Sequence, residues 1–106
     1  ANLGDIGKHF PDTDAEYKGI DSKILLKEVM ILIRKKGYEL GNMDSTICLQ
    51  SPKIGKYISE MQNVLAFCMD VDLDLVSIKA TTTEKLSFVG REEGISAYAT
   101  VILNKA

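Results

Sequence analysis

Three features of the sequence predict an α/β fold. Met43 to Gln50 and Ile95 to Leu103 alternate apolar and polar residues with the period of a half-buried strand, and the apolar run Leu75 to Ile78 reads as a buried one. Asp21 to Lys36 and Lys53 to Cys68 repeat apolar residues at helical spacing. The second helix falls between two strands, and a strand–helix–strand run brings its strands parallel with a right-handed crossover.

Residues Ala1 to Gly19 read as loop, because Gly4-Asp5-Ile6-Gly7 and Phe10-Pro11-Asp12-Thr13-Asp14 are dense in turn formers. Ile6 and Phe10 are more apolar than a solvated loop requires. Asp12 and Asp14 form an Asp-x-Asp pair that could hold a metal, and Asp5 could accept hydrogen bonds from sugar hydroxyls. His9, the only histidine, reads as a plain loop residue, since a multi-histidine zinc site needs more.

The first helix is capped by Asp21 or Ser22 and carries Leu25, Leu26, Val29, Leu32 and Ile33 on one stripe. Arg34, Lys35 and Lys36 suit the negative end of the helix dipole, and Gly37 supplies a left-handed stop. In the strand Met43 to Gln50, Met43, Ser45, Ile47 and Leu49 share one face. Ser51-Pro52 then reads as an N-cap followed by proline at the first helical position. The second helix, Lys53 to Cys68, carries Ile54, Ile58, Met61 and Leu65. Lys53 opposes the dipole in its first turn, which makes sense if an anion docks there, although a solvated lysine is the plain alternative. Asp70 to Asp74 has the opening of a calcium loop, but Leu75 and Thr81 stand where glycine and glutamate are needed, so it reads as a connector. The strand Leu75 to Ala80 follows.

The stretch Lys79 to Gly94 gathers three threonines, Glu84, Lys85 and Arg91. Thr81, Thr82 and Thr83 offer hydroxyls and N–H groups to an anion, and Glu84 is a hard oxygen ligand of the kind magnesium takes beside phosphates. Lys85 and Arg91 could neutralise phosphate charge, Arg91 through both arms of its guanidinium. Thr81-x-x-Glu84 is also a capping-box pattern, but no amphipathic run follows it. Residues 49–55 and 80–91 both leave carboxyl ends of parallel strands, where ligands of open α/β sheets gather. A phosphorylated ligand and a divalent metal are therefore expected.

With 106 residues, the chain is expected to form a single domain. Thirteen basic against fifteen acidic side chains give a charge of −2, which argues against a nucleic-acid partner. No apolar run approaches the length of a membrane span, and no leader pattern is visible. Cys48 and Cys68 lie far apart without a paired motif and read as reduced, in keeping with a cytoplasmic location. The opening Ala-Asn-Leu-Gly-Asp does not look like an initiator segment, which leaves room for a truncated amino end.

Three motifs together, Gly4 to Asp14, Gln50-x-Pro-Lys53, and Lys79-Ala-Thr-Thr-Thr-Glu-Lys-Leu-x-Phe-x-Gly-Arg91, resemble the 2-C-methyl-D-erythritol 2,4-cyclodiphosphate synthase family. The resemblance implies a mixed β-sheet with helices packed on one face, an α+β sandwich that forms homotrimers with each active site between subunits. It implies closure of 4-diphosphocytidyl-2-C-methyl-D-erythritol 2-phosphate to the cyclic diphosphate, with release of CMP, in non-mevalonate isoprenoid biosynthesis. Zinc and a magnesium or manganese ion would serve the diphosphate. Asp5, Ile6, Gly7, Phe10, Pro11, Asp12, Thr13 and Asp14 would meet the erythritol. Leu49, Gln50, Ser51, Pro52, Lys53, Ile54 and Gly55 would form the cytidine pocket. Thr81, Thr82, Thr83 and Glu84 would hold the phosphates, with Thr82 as transition-state stabiliser and Glu84 as ligand of the second metal. Phe88 and Arg91 would line the substrate site or the trimer axis.

The sequence departs from the family pattern in three places. Ser87 and Glu92 stand where glycines are usual, and Tyr98 where some members carry an acid. The family's zinc ligands and its first strand and helix lie before the matching region. Residues 1–106 are thus expected to form the carboxyl-terminal two thirds of a synthase domain, inactive alone and with one sheet face exposed. A eukaryotic version would belong in a plastid-type organelle. A catalytically inactive module that binds a cytidine nucleotide or an isoprenoid diphosphate is the alternative reading.

Overall fold

A computed structural model describes all residues, 1–106. The sheet has three strands in the order β2-β1-β3: β1 (Tyr38–Cys48), β2 (Val76–Thr81) and β3 (Ser96–Lys105). β1 and β2 are parallel, with Met43 opposite Val76 and Cys48 opposite Thr81, while β3 runs antiparallel on the other side of β1. The sheet is therefore mixed, and the expected strand–helix–strand unit is present.

The two long helices, α2 (Ser22–Lys35) and α3 (Ile58–Met69), cover one face. Met30 of α2 and Ala66 and Met69 of α3 meet Leu40, Met43, Val76 and Ile78 of the sheet in a single apolar cluster. Gln62 fastens α3 to the sheet by donating to the Val76 carbonyl at 2.9 Å. The Asp21 carboxylate caps α2 by accepting from the Lys23 N–H at 2.9 Å. Gly37 follows the helix at φ +92°, the left-handed stop that glycine adopts without steric cost.

Four elements differ from the sequence-based expectation. β1 begins at Tyr38, five residues before the expected Met43, because the ladder skips Gly41 between Leu40 and Asn42. This bulge reverses the alternation, so that Leu40 and Met43, an odd number of residues apart, are both buried. A side chain at Gly41 would strike Asn104, its Cβ only 2.7 Å from Nδ2. The second helix starts later than expected: Pro52 and Lys53 lie in an open loop, and a 3₁₀ turn, Gly55–Tyr57, precedes α3 at Ile58. Gly55 carries too large an entropy cost to favour the first turn of an α-helix. The amino-terminal segment holds a short helix, α1 (Ile6–His9), within the expected loop. No helix begins at Thr81, as expected, but an unexpected single turn, α4 (Ser87–Gly90), starts after Leu86.

Arg34 does more than complement the dipole of α2. Its guanidinium donates to both carboxylate oxygens of Glu39 at 2.8 to 3.0 Å and to the carbonyl of Met69 at 2.7 Å. It thereby ties the ends of both helices to the start of β1. This hydrogen bonding holds the Glu39 carboxyl below its ordinary value.

β3 contrasts with the other strands. Ala97, Ala99 and Val101, on the side that faces the helix layer, are exposed, as are Tyr98 and Ile102 on the other side. No helix is long and apolar enough to cross a membrane. Both cysteines are free thiols, Cys68 buried and Cys48 partly so.

Candidate functional site

The parallel pairing of β1 and β2 sends their two exit loops off the same edge of the sheet. The loops bound a cleft of about 270 Å³, lined by Leu49, Pro52, Lys53, Ile54 and Gly55 on one side and by Ala80, Thr81 and Thr82 on the other. Two hydrogen bonds bridge them. The Leu49 N–H donates to the Thr81 carbonyl at 2.9 Å, and the Lys85 N–H donates to Gln50 Oε1 at 3.1 Å.

The cleft is equipped for an anion. The N–H groups of Lys53, Ile54, Gly55, Thr82 and Thr83 donate to no backbone carbonyl. Unpaired N–H groups ahead of a helix are a ready anion site. Lys53 is exposed beside them and joins no ion pair.

Hydrogen bonding separates the three threonines. Thr81 Oγ1 donates to the Thr82 carbonyl at 3.1 Å, and Thr83 Oγ1 donates to the Leu86 carbonyl at 2.7 Å. Thr82 Oγ1 instead accepts from the Glu84 N–H at 3.3 Å. A hydroxyl that accepts keeps its own proton. Thr82 is thus the threonine with a hydrogen left to donate into the cleft that it lines.

The turn beyond Thr82 is an unusual run of backbone. Glu84, Lys85 and Ser87 take φ of +54°, +65° and +60°, and Glu92 takes +61°. Each such non-glycine residue costs about 1 kcal/mol or more. Ser87 and Glu92, which the resemblance sets at usual glycine positions, both hold backbone that glycine adopts without steric cost. Gly90 packs so tightly that an added Cβ would sit 2.1 Å from the Lys85 carbonyl carbon.

Glu84 holds its exposed carboxylate on this turn with no ion-pair partner. One free carboxylate on a turn next to a cleft equipped for an anion is a donor set that suits a hydrated hard cation. No three His, Cys, Asp or Glu side chains come together to hold a metal, so the residues present do not supply a zinc site.

Other expected residues lie outside the cleft lining. Phe88 packs its ring against Gly94, and Arg91 is paired with Glu93 at 2.8 Å, which occupies the guanidinium expected to face phosphate. Ser51 sits in the loop without lining the cavity, and Gln50 reaches across to Lys85. The erythritol group, Asp5 to Gly7 and Phe10 to Asp14, contributes nothing to the lining either. Within it, Asp14 Oδ1 accepts from the Glu16 N–H at 3.0 Å, a turn contact, and Phe10 meets Tyr17 edge-on. His9 is the last residue of α1 rather than a loop residue, and its Nε2 lies 2.7 Å from the Leu3 carbonyl. Ala80 also lines the cleft; the sequence reading placed it at the start of the exit loop 80–91 but gave it no contact of its own.

The model of the YgbB family matches residues 1–104. The chain belongs to the YgbB family. This YgbB chain is 64% identical, over its whole length, to 2-C-methyl-D-erythritol 2,4-cyclodiphosphate synthase of Phocaeicola vulgatus, and 63% identical over 99% of its length to the synthase of Bacteroides fragilis. It spans 66% of the length of each of those relatives. Among solved structures, the bifunctional IspDF of Campylobacter jejuni aligns with a TM-score of 0.92 at 42% identity, covering 98% of this chain and 28% of that one. The CDP complex of IspF from Plasmodium falciparum aligns with a TM-score of 0.83 at 30% identity, covering 96% and 60%. The mixed sheet with its one-sided helix layer is thus shared by this YgbB chain and the aligned parts of those two solved structures.

Proposed function

We propose that the chain supplies the nucleotide half of an active site that converts 4-diphosphocytidyl-2-C-methyl-D-erythritol 2-phosphate to 2-C-methyl-D-erythritol 2,4-cyclodiphosphate, releasing CMP. One observation carries this reading: two loops far apart in sequence line a single cleft and are joined across it by two hydrogen bonds. The similarity to synthases, one of them a CDP complex, supports it.

In the proposed reaction a 2-phosphate oxygen attacks the β-phosphorus. A phosphorus–oxygen bond forms to close the ring, and the bond to the bridging oxygen breaks, its electron pair leaving with CMP. The attacking phosphate is already anionic, so the protein supplies positioning and charge neutralisation rather than a base. Lys53 and the N–H groups beside it offset charge on the departing CMP. Thr82 donates its uncommitted proton to a phosphate oxygen in the transition state. Glu84 would hold a magnesium or manganese ion, which when bound neutralises the diphosphate.

The cytidine end belongs to Leu49 and to Pro52 through Gly55. Asp5 to Gly7 and Phe10 to Asp14 belong to the erythritol end of a site that a neighbouring copy completes in a homotrimer. Residues 1–106 supply the nucleotide-binding part of the synthase domain.

Calorimetry with CDP and magnesium tests this. Lys53→Ala is expected to weaken binding by about 10- to 100-fold, the worth of one charge-assisted contact. Unchanged affinity overturns the role of Lys53, and failure of the parent chain to bind CDP overturns the function.

A further inference from the structure

We infer that Gln50 is a positioning residue that locks the Glu84 turn to the nucleotide loop, rather than a contact to the cytidine. The inference rests on the proposed nucleotide site and adds a division of labour within it. Gln50 is not among the residues that line the cleft; its amide oxygen instead accepts from the Lys85 N–H across the gap between the loops.

The turn needs such a restraint. Three of its residues hold left-handed backbone without being glycine, and that geometry persists only where surrounding contacts over-determine it. Lys85 is gripped on one side by Gly90, which packs directly on its carbonyl carbon. On the other side the grip is Gln50, the one side chain of residues 49–55 that hydrogen-bonds the turn. Within the turn, the Glu84 N–H is engaged by Thr82. Releasing Gln50 therefore frees Lys85 and, next to it, the Glu84 carboxylate and the Thr82 hydroxyl. The pyrimidine side of the cleft, built on Leu49 and Pro52 to Gly55, is left in place.

The consequence is selective. Loss of the Gln50 acceptor should weaken recognition of the phosphate farthest from the base and leave the monophosphate nucleotide nearly unaffected. Gln50→Met keeps length and shape but removes the oxygen, whereas Gln50→Glu keeps an acceptor. Amide hydrogen exchange of the nucleotide-free chain should show Lys85 exchanging at least tenfold faster in Gln50→Met, with protection restored in Gln50→Glu. In calorimetry the gain in CDP affinity brought by magnesium should fall at least fivefold in Gln50→Met, with CMP affinity changed less than twofold. Unchanged Lys85 exchange overturns the restraint. Equal weakening of CMP and CDP overturns it in favour of a direct base contact. The exchange readout needs no nucleotide, so its failure is distinguishable from failure of the proposed function, which the parent chain would reveal by binding neither CMP nor CDP.

Discussion

Around the cleft, residues 49–55 and 80–90 are tied to each other by two cross-loop hydrogen bonds and rooted through the buried Val89 and Gly90. The segment before α2 carries eight expected site residues but has no buried residue. Its ties to the body include Lys36 Nζ, which donates to the Ala1 and Asn2 carbonyls. The difference teaches where this chain can act by itself. The proposed diphosphate-binding wall is assembled within one chain, whereas the residues proposed to face erythritol stand clear of it, as the proposal of a site shared between copies requires.

The contrast breaks most severely at Gly90. Gly90→Ala places a methyl group inside the Lys85 carbonyl and should cost about 2–3 kcal/mol, with a lowered Tm in thermal denaturation and loss of nucleotide binding. A matched change at Gly7, where a Cβ meets nothing within 4 Å, should leave Tm nearly unchanged. Equal effects would erase the distinction between the regions.

A smaller effect is expected at Arg34, whose contacts lie outside both regions. Arg34→Met should cost about 1–2 kcal/mol at neutral pH, allowing for partial exposure of the pair. Its pH dependence follows from Glu39, whose folded carboxyl is held below its unfolded value by Arg34. That contribution is fully present above the unfolded value and is lost as pH falls through the depressed folded one. The gap between parent and variant in urea melts should therefore narrow in acid; a constant gap would contradict the assignment.

The smallest effect sharpens the account of the turn. Ser87→Gly and Glu92→Gly should each stabilise by about 0.5–1 kcal/mol, because both positions hold left-handed backbone. Neutral or destabilising outcomes in the same melts would show that the turn compensates for its residues.

Much of this architecture was legible from periodicity. The stripe of α2, the alternation after Met43 and the strand–helix–strand order placed both exit loops at one sheet edge. What escaped has local causes. The first five residues of β1 were hidden because the bulge at Gly41 reverses the alternation. Ser51-Pro52 imitated a helix start, but the chain spends residues 52–55 on the cleft wall and begins α3 only at Ile58. The pairing of Arg91 with Glu93 and the distinct states of the three threonine hydroxyls depend on side-chain geometry that no spacing encodes.

The central claim, that both exit loops grip one cytidine diphosphate, is tested most directly by an NMR titration of the chain with CDP and magnesium. The amide signals of Lys53 to Gly55 and of Thr82 to Lys85 should shift together and saturate at a single affinity, with those of Asp5 to Asp14 unmoved. Shifts confined to one loop, or two loops saturating at different concentrations, would contradict it.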